Sequence, residues 1–343
     1  LPEIYCELSF LDKVFSPRDL SYLQVLTGKS QEIEGQLACY RLLSQPSKLN
    51  INTSHESLIY SESIVLKQLL KNPTVTIQCH ESLELPWNSI DFLEDKGMEL
   101  FMLDVSNQEA ESIEQSYGLM ILSPATISQK LPLLSPNSII PVIKGENVFR
   151  WDLINYLNHY CHSVFVIYNY LEGRLEELRL NLLPALKSLL KSDLNKRDMH
   201  LTLFIQNTSL KLEQIEDNLR ELFDGFLQRF IVRIVKLAPQ SNHDRHIFTN
   251  LVCITCCYGV NLLGVRKQTR THFIKQNTSI LVYPIFATSY SKIGQQLNYE
   301  TIMRLLKVYR NLDMASPNKI GNETRSVGPI NKMFYSYLPQ DSD

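Results

Sequence analysis

Along the chain, stretches with strand-like apolar runs take turns with stretches of helical spacing. Residues 3–11 open with a strand-like run. After Pro17, residues 19–44 read mainly as helix. A short alternation at 49–53 predicts a strand. Residues 61–71 set Ile64, Leu66, Leu69 and Leu70 on helical positions. Strands are then predicted at 75–79, 98–103 and 118–123. Helices fall between them at 87–96, ended by Gly97, and at 107–117, ended by Gly118. Strands alternating with helices predict a parallel α/β sheet.

Residues 124–147 hold Pro124, Pro132, Pro136 and Pro141 and little periodicity, which predicts a linker. Beyond it the alternation resumes. Helical spacing is seen near 149–160, at 175–191 with Pro184 interrupting it, at 212–229 and at 299–311. Strands are predicted at 163–168, 200–205, 230–237 and 277–286. Another is predicted in the apolar, β-branched run that follows a polar cluster at 243–246. The chain therefore reads as α/β, with two α/β domains. These are residues 1–123 and 148–311, joined by the linker 124–147 and followed by a polar tail at 312–343.

Composition narrows the class. Apolar residues make up 44% and charged residues 20% of the 343, the balance of a folded globular protein. The longest apolar run, 251–265, contains Thr255 and Asn261 and is too short to span a bilayer. Seven cysteines, scattered through apolar contexts, fit a reducing cytoplasm. Cys253 and Cys256 form a lone CxxC inside a strand pattern, which reads as core thiols rather than a zinc site. No metal or cofactor is expected, and no glycine-rich nucleotide loop is present.

Charge is uneven. Residues 1–146 carry 10 Lys/Arg against 19 Asp/Glu, whereas residues 243–310 carry 9 against 2. A phosphate-rich partner is therefore expected at the second region. That region begins with Asn242-His243-Asp244-Arg245-His246. On a strand, His243 and Arg245 would point the same way. A neutral imidazole beside a guanidinium can sit against one phosphodiester, which the guanidinium grips through paired hydrogen bonds. Asn250 follows Arg245 with four residues between them. Asn250 is expected to be buried and hydrogen-bonded to neighbouring backbone, holding the junction in place. In the plainer alternative, Asp244 pairs with Arg245 or another cation and His243 caps a turn.

The spacing His243-x-Arg245-x4-Asn250 resembles the His-x-Lys-x4-Asp motif of the phospholipase D superfamily, with Arg for the lysine and Asn for the aspartate. The resemblance covers roughly residues 160–290. It implies that the second domain is a phospholipase D-like half-barrel or sheet with flanking helices. It also implies that His243 attacks phosphorus to form a phosphohistidine while Arg245 neutralises the phosphate. Chemistry of this type needs no metal. Asn250 supplies no carboxylate, and no other histidine is followed two residues later by Lys or Arg. A complete site would then need a homodimer. His243-Asp244-Arg245 is equally similar to non-catalytic members that carry His-Asp-Arg.

The first domain weakly resembles PIN-type nucleases, in which carboxylates at strand ends hold a metal; Glu7, Glu62 and Asp104 occupy such positions. Any α/β sheet scatters carboxylates in this way. A basic loop, Arg266, Lys267, Arg270 and Lys275, is interleaved with His272 and Phe273 and suits contact with a nucleic-acid backbone. A solvated loop explains it as well. The expected function is a phosphodiesterase-like protein that acts on or binds nucleic acid. The competing expectation is an inactive interaction subunit of a multi-protein bacterial assembly, such as a phage-defence complex. A membrane-surface binder using the basic face of 243–310 is a third.

Overall fold

The computed structural model describes the chain apart from residues 16–30, 62, 82–85, 145–149, 172–177, 193, 209, 227–228, 238–244, 257–262, 266–271, 276, 292–293, 316–318, 321–322, 325, 337 and 339–343. The chain forms two compact units. The first comprises residues 1–136 and 284–301, and the second residues 137–283 and 302–343. Both are α/β, as the alternating periodicity predicts.

The first unit is built on a five-stranded sheet, in the order β3-β2-β1-β4-β5. Its strands are β1 (Glu3–Cys6), β2 (Ser47–Ile51), β3 (Val75–Cys79), β4 (Leu100–Met102) and β5 (Met120–Leu122), and every pairing is parallel. Parallel pairing requires long crossovers. Among the described helices these are supplied by α1 (Leu8–Phe15), α2 (Gln31–Leu43), α3 (His55–Tyr60), α4 (Ile64–Leu70), α5 (Ile90–Leu93) and α6 (Asn107–Tyr117). β4 and β5 are buried at every position, which is why they read as unbroken apolar runs. Tyr5, Phe101 and Ile121 share a face and pack with Trp87, Leu93, Ala110, Ile113 and Tyr117. Helix α6 starts and ends where its sequence dictates. Ser106 Oγ accepts from the Glu109 N–H, and Gly118 closes the helix at φ 66°. Only Ile90–Leu93 of the expected 87–96 helix forms, and α3 is an extra helix just before α4.

The second unit holds an eight-stranded sheet with parallel strands at its middle. Strands β7 (Ser163–Leu171), β8 (Met199–Thr208) and β9 (Phe230–Lys236) run parallel. β10 (Arg245–Thr249) runs back against β7, and β11 (Val252–Cys256) pairs antiparallel with β10. β6 (Ser138–Val142) forms one edge beside β14 (Thr278–Pro284). Between β11 and β14 in sequence lies a small hairpin of β12 (Leu263–Val265) and β13 (His272–Ile274). A further hairpin follows, β17 (Lys319–Ile320) with β18 (Glu323–Thr324), whereas the hairpin of β15 (Thr288–Ser291) and β16 (Gly294–Leu297) belongs to the first unit. The other edge of the large sheet is β19 (Ser326–Val327), paired with β9.

Several boundaries differ from the sequence reading. The proline-rich stretch 124–147 contains α7 (Leu131–Leu134) and β6, whose Pro141 is tolerated because the strand lies at an edge. Residues 149–160 give a 3-10 helix at Trp151–Leu157, not an α-helix. In the leucine-rich stretch, a π-turn at Leu178–Leu182 precedes α8 (Leu183–Leu189), with Pro184 in the first turn, where its missing N–H costs nothing. Helix α9 spans Leu212–Phe223 and packs on β9 through an apolar face of Leu212, Ile215, Leu219 and Phe223. Helix α10 covers Asn298–Ala315.

The apparent tail is anchored too. Asp313 is fully buried and receives Arg233 Nε and Nη2 at 3.0 and 2.8 Å, while Tyr335 Oη donates to its other oxygen at 3.0 Å. Arg233 Nη1 also donates to the Gly328 carbonyl at 2.6 Å. Gly328 sits at φ 82°, where a Cβ would fall 1.9 Å from the Val232 carbonyl oxygen. In α11 (Lys332–Ser336), Phe334 stacks near Phe165 at 4.6 Å. Among the described residues no helix is long and apolar enough to cross a membrane.

Candidate functional site

β10 runs antiparallel to the three parallel strands, so it begins where they end. Arg245, its first residue, therefore lies at their carboxyl edge. In α/β sheets ligands bind outside the carboxyl ends of the strands. The registers set a row of side chains along that edge. Lys236 is opposite Ile205, and Ile205 is opposite Tyr168. The β7–β10 pairing matches Val166 with Ile247; continued by two residues, it brings Arg245 opposite Tyr168. Arg245 in turn faces Cys256. Arg245 is 7% exposed, Tyr168 is buried, and Lys236 is half-buried.

Asn250 is buried as expected, but it is not beside Arg245. The run after the cluster is not one strand. It breaks into the β10–β11 hairpin, and residues 250 and 251 form the turn. Arg245 and Asn250 thus mark opposite ends of β10, about 16 Å apart at strand rise. Thr249 holds this turn, its Oγ1 accepting from the Leu251 and Val252 N–H groups at 3.1 and 3.0 Å. His159 lies behind it. Its Nδ1 is 2.6 Å from the Leu157 carbonyl, which can only accept, so Nδ1 carries the proton. Nε2 then accepts from the Thr249 hydroxyl at 2.9 Å.

His246 points to the opposite face from Arg245. Its Nδ1 meets Thr255 Oγ1 at 2.9 Å, and its ring lies 5.2 Å from that of Phe248. Cys253 and Cys256 are free thiols in the core, as the strand pattern predicts, and burial pushes the Cys253 thiol up to about 12. His243 lies outside the described residues, as do Arg266, Lys267 and Arg270; Lys275 follows β13. The sequence reading did not include Lys236 or Tyr168. A signal was present in Lys236, the cation that ends the apolar run from Phe230, but only strand order places it level with Arg245.

The first unit has its own carboxyl edge, between β1 and β4, where the strand order reverses. It brings together two of the three carboxylates noted in the sequence; Glu62 lies outside the described residues. Glu7 Oε2 accepts from the Asp104 N–H at 2.6 Å, and Asp104 Oδ1 receives Lys13 Nζ at 2.7 Å. Burial raises the Glu7 pKa. The Asp104 N–H lowers it, and the charges of Asp104 and Glu109 add to the rise. Among the described residues no group of three His, Cys, Asp or Glu side chains could hold a metal ion.

Compared with known proteins, the chain matches no family model and no curated protein.

Proposed function

We propose that the protein engages phosphodiesters of nucleic acid at the carboxyl edge of its second sheet, with Arg245 as the phosphate clamp and His243 as the nucleophile. The observation that supports this is the position of Arg245, a guanidinium at the end of three parallel strands. In the proposed reaction the His243 imidazole attacks phosphorus, the P–O bond to the leaving group breaks as a phosphohistidine forms, and the leaving oxygen takes a proton from the protonated His243 of a second copy of the chain. Water then releases the phosphate. A second copy of the chain completes the site, because one copy carries a single motif. Cleavage of a labelled oligonucleotide should survive EDTA and vanish in His243→Ala with the fold intact, and Arg245→Lys should keep part of it. Activity lost in EDTA and untouched by His243→Ala would defeat the proposal.

The burial of Arg245 and the distance to Asn250 favour a second reading, in which the motif is retained for packing and the protein serves as a non-catalytic subunit. Tight association with another protein and no turnover would support it.

A further inference from the structure

The two large sheets have four edge strands, and three of them are closed to further pairing. β5 is buried at every position, β19 spans two residues, and β6 carries Pro141. β3 has none of these protections. Its five residues include no proline and no charge, and Thr76 and Gln78 are exposed. The pairing with β2 fixes which backbone groups are left over. The His80 N–H donates to the Ile51 carbonyl, and Ile51 is level with Cys79. In a parallel ladder the even residues of β3 therefore bond to β2, and the N–H and C=O groups of Ile77 and Cys79 point to the open side. The helices beside this edge add apolar surface. α3 meets β3 where His55 Nδ1 lies 3.9 Å from Cys79 Sγ, and α4 packs on β3. Ile59 and Tyr60 of α3 are 51% and 76% exposed, and Leu70 of α4 is 38% exposed. Large apolar side chains left in water beside an unpaired strand mark an association surface.

We infer that β3 pairs antiparallel with β3 of a second copy of the chain, about a two-fold axis at Gln78. The two five-stranded sheets then become one continuous sheet, with Ile59, Tyr60 and Leu70 packed beside the seam. The strand is complementary to itself in this register. Ile77 of each copy faces Cys79 of the other, and their outward groups exchange about four hydrogen bonds. Thr76 faces His80, and Gln78 faces Gln78, so no like charges meet along the seam. Lys71 lies just before β3 and Glu81 just after it, and both are exposed. Antiparallel pairing brings the Lys71 end of each strand to the Glu81 end of the other, whereas parallel pairing would set like charges together. A two-fold contact uses the same patch on both copies, the commonest form of self-association. The surface lies in the first unit and does not rest on the phosphodiester reading.

Sedimentation of the full chain over a range of concentrations tests the inference. The parent should dimerise. Gln78→Lys and Gln78→Glu should each raise the dissociation constant about tenfold, because like charges then face each other across the axis. An equimolar mixture of the two variants should dimerise at least as tightly as the parent. Tyr60→Ser should weaken the dimer as well. Unchanged circular dichroism of each variant establishes that it has folded. A parent that stays monomeric at about 100 µM overturns the inference. Binding of an extended peptide by that monomer would give the edge to a strand of another protein instead. A dimer that neither Gln78 variant weakens also overturns it, as does a mixture that fails to recover, because the copies would then meet elsewhere.

Discussion

The carboxylate of Glu7 shows how one side chain sets a pH dependence. Burial raises its pKa above the ordinary value of 4.5, as do the charges of Asp104 and Glu109. The folded state therefore holds the proton more tightly than the unfolded chain. Stability from this group is present at low pH and is lost as pH rises from about 4.5 through the raised folded value. Glu7→Gln keeps an oxygen that can accept from the Asp104 N–H and removes the charge. Thermal melting at neutral pH should rise in this variant, and the gain should fade in buffers below about pH 4.5. A lower melting temperature at neutral pH would show that the negative charge stabilises the loop instead.

At the scale of elements, the β10–β11 hairpin decides where the second unit's candidate site lies. Its turn contains neither Gly nor Pro, so the apolar run across it looks continuous in sequence. Thr249 replaces the usual turn chemistry by accepting from two backbone N–H groups and donating to His159. Thr249→Val keeps the shape and removes all three bonds. Two turn N–H groups and a buried imidazole nitrogen would lose a partner, at about 2–4 kcal/mol in all. Chemical denaturation should show that loss as a lower midpoint with an unchanged slope. A midpoint within about 0.5 kcal/mol of the parent would mean that the turn is held by its strands alone.

At the scale of the whole molecule, the chain passes between its two units at residues 136–137, 283–284 and 301–302, so neither unit is one continuous segment. The second unit is closed by the final segment, which pairs through β19 with β9 and is held by a buried ion pair. Arg233 and Asp313 are 5% and 0% exposed in their side chains, and Tyr335 completes the acceptor. Asp313→Ala would leave a buried guanidinium without its counter-ion. The expected cost is about 3–5 kcal/mol, because an unpaired buried charge is far more expensive than the pair. Limited proteolysis should then cut within residues 312–338 well before the parent is cut. Equal resistance would place the anchor in the β19–β9 pairing and the packing of Phe334 on Phe165.

The sequence alone determined what depends on near neighbours. The parallel first sheet was legible because its strands are short apolar runs between helices, and the end of α6 because Gly118 marks it. The core role of Cys253 and Cys256 was legible from the pattern around them. The tertiary structure decided what depends on residues far apart in the chain. Asp313 finds Arg233 across 80 positions, so a segment with weak local periodicity became a packed end. β6 joins β14, so a proline-rich stretch became an edge strand. Lys236, Tyr168 and Arg245 share a row only because β7 lies between β8 and β10. Periodicity reports which face of an element is buried. Strand order is set by contacts that close long loops, and no local pattern carries them.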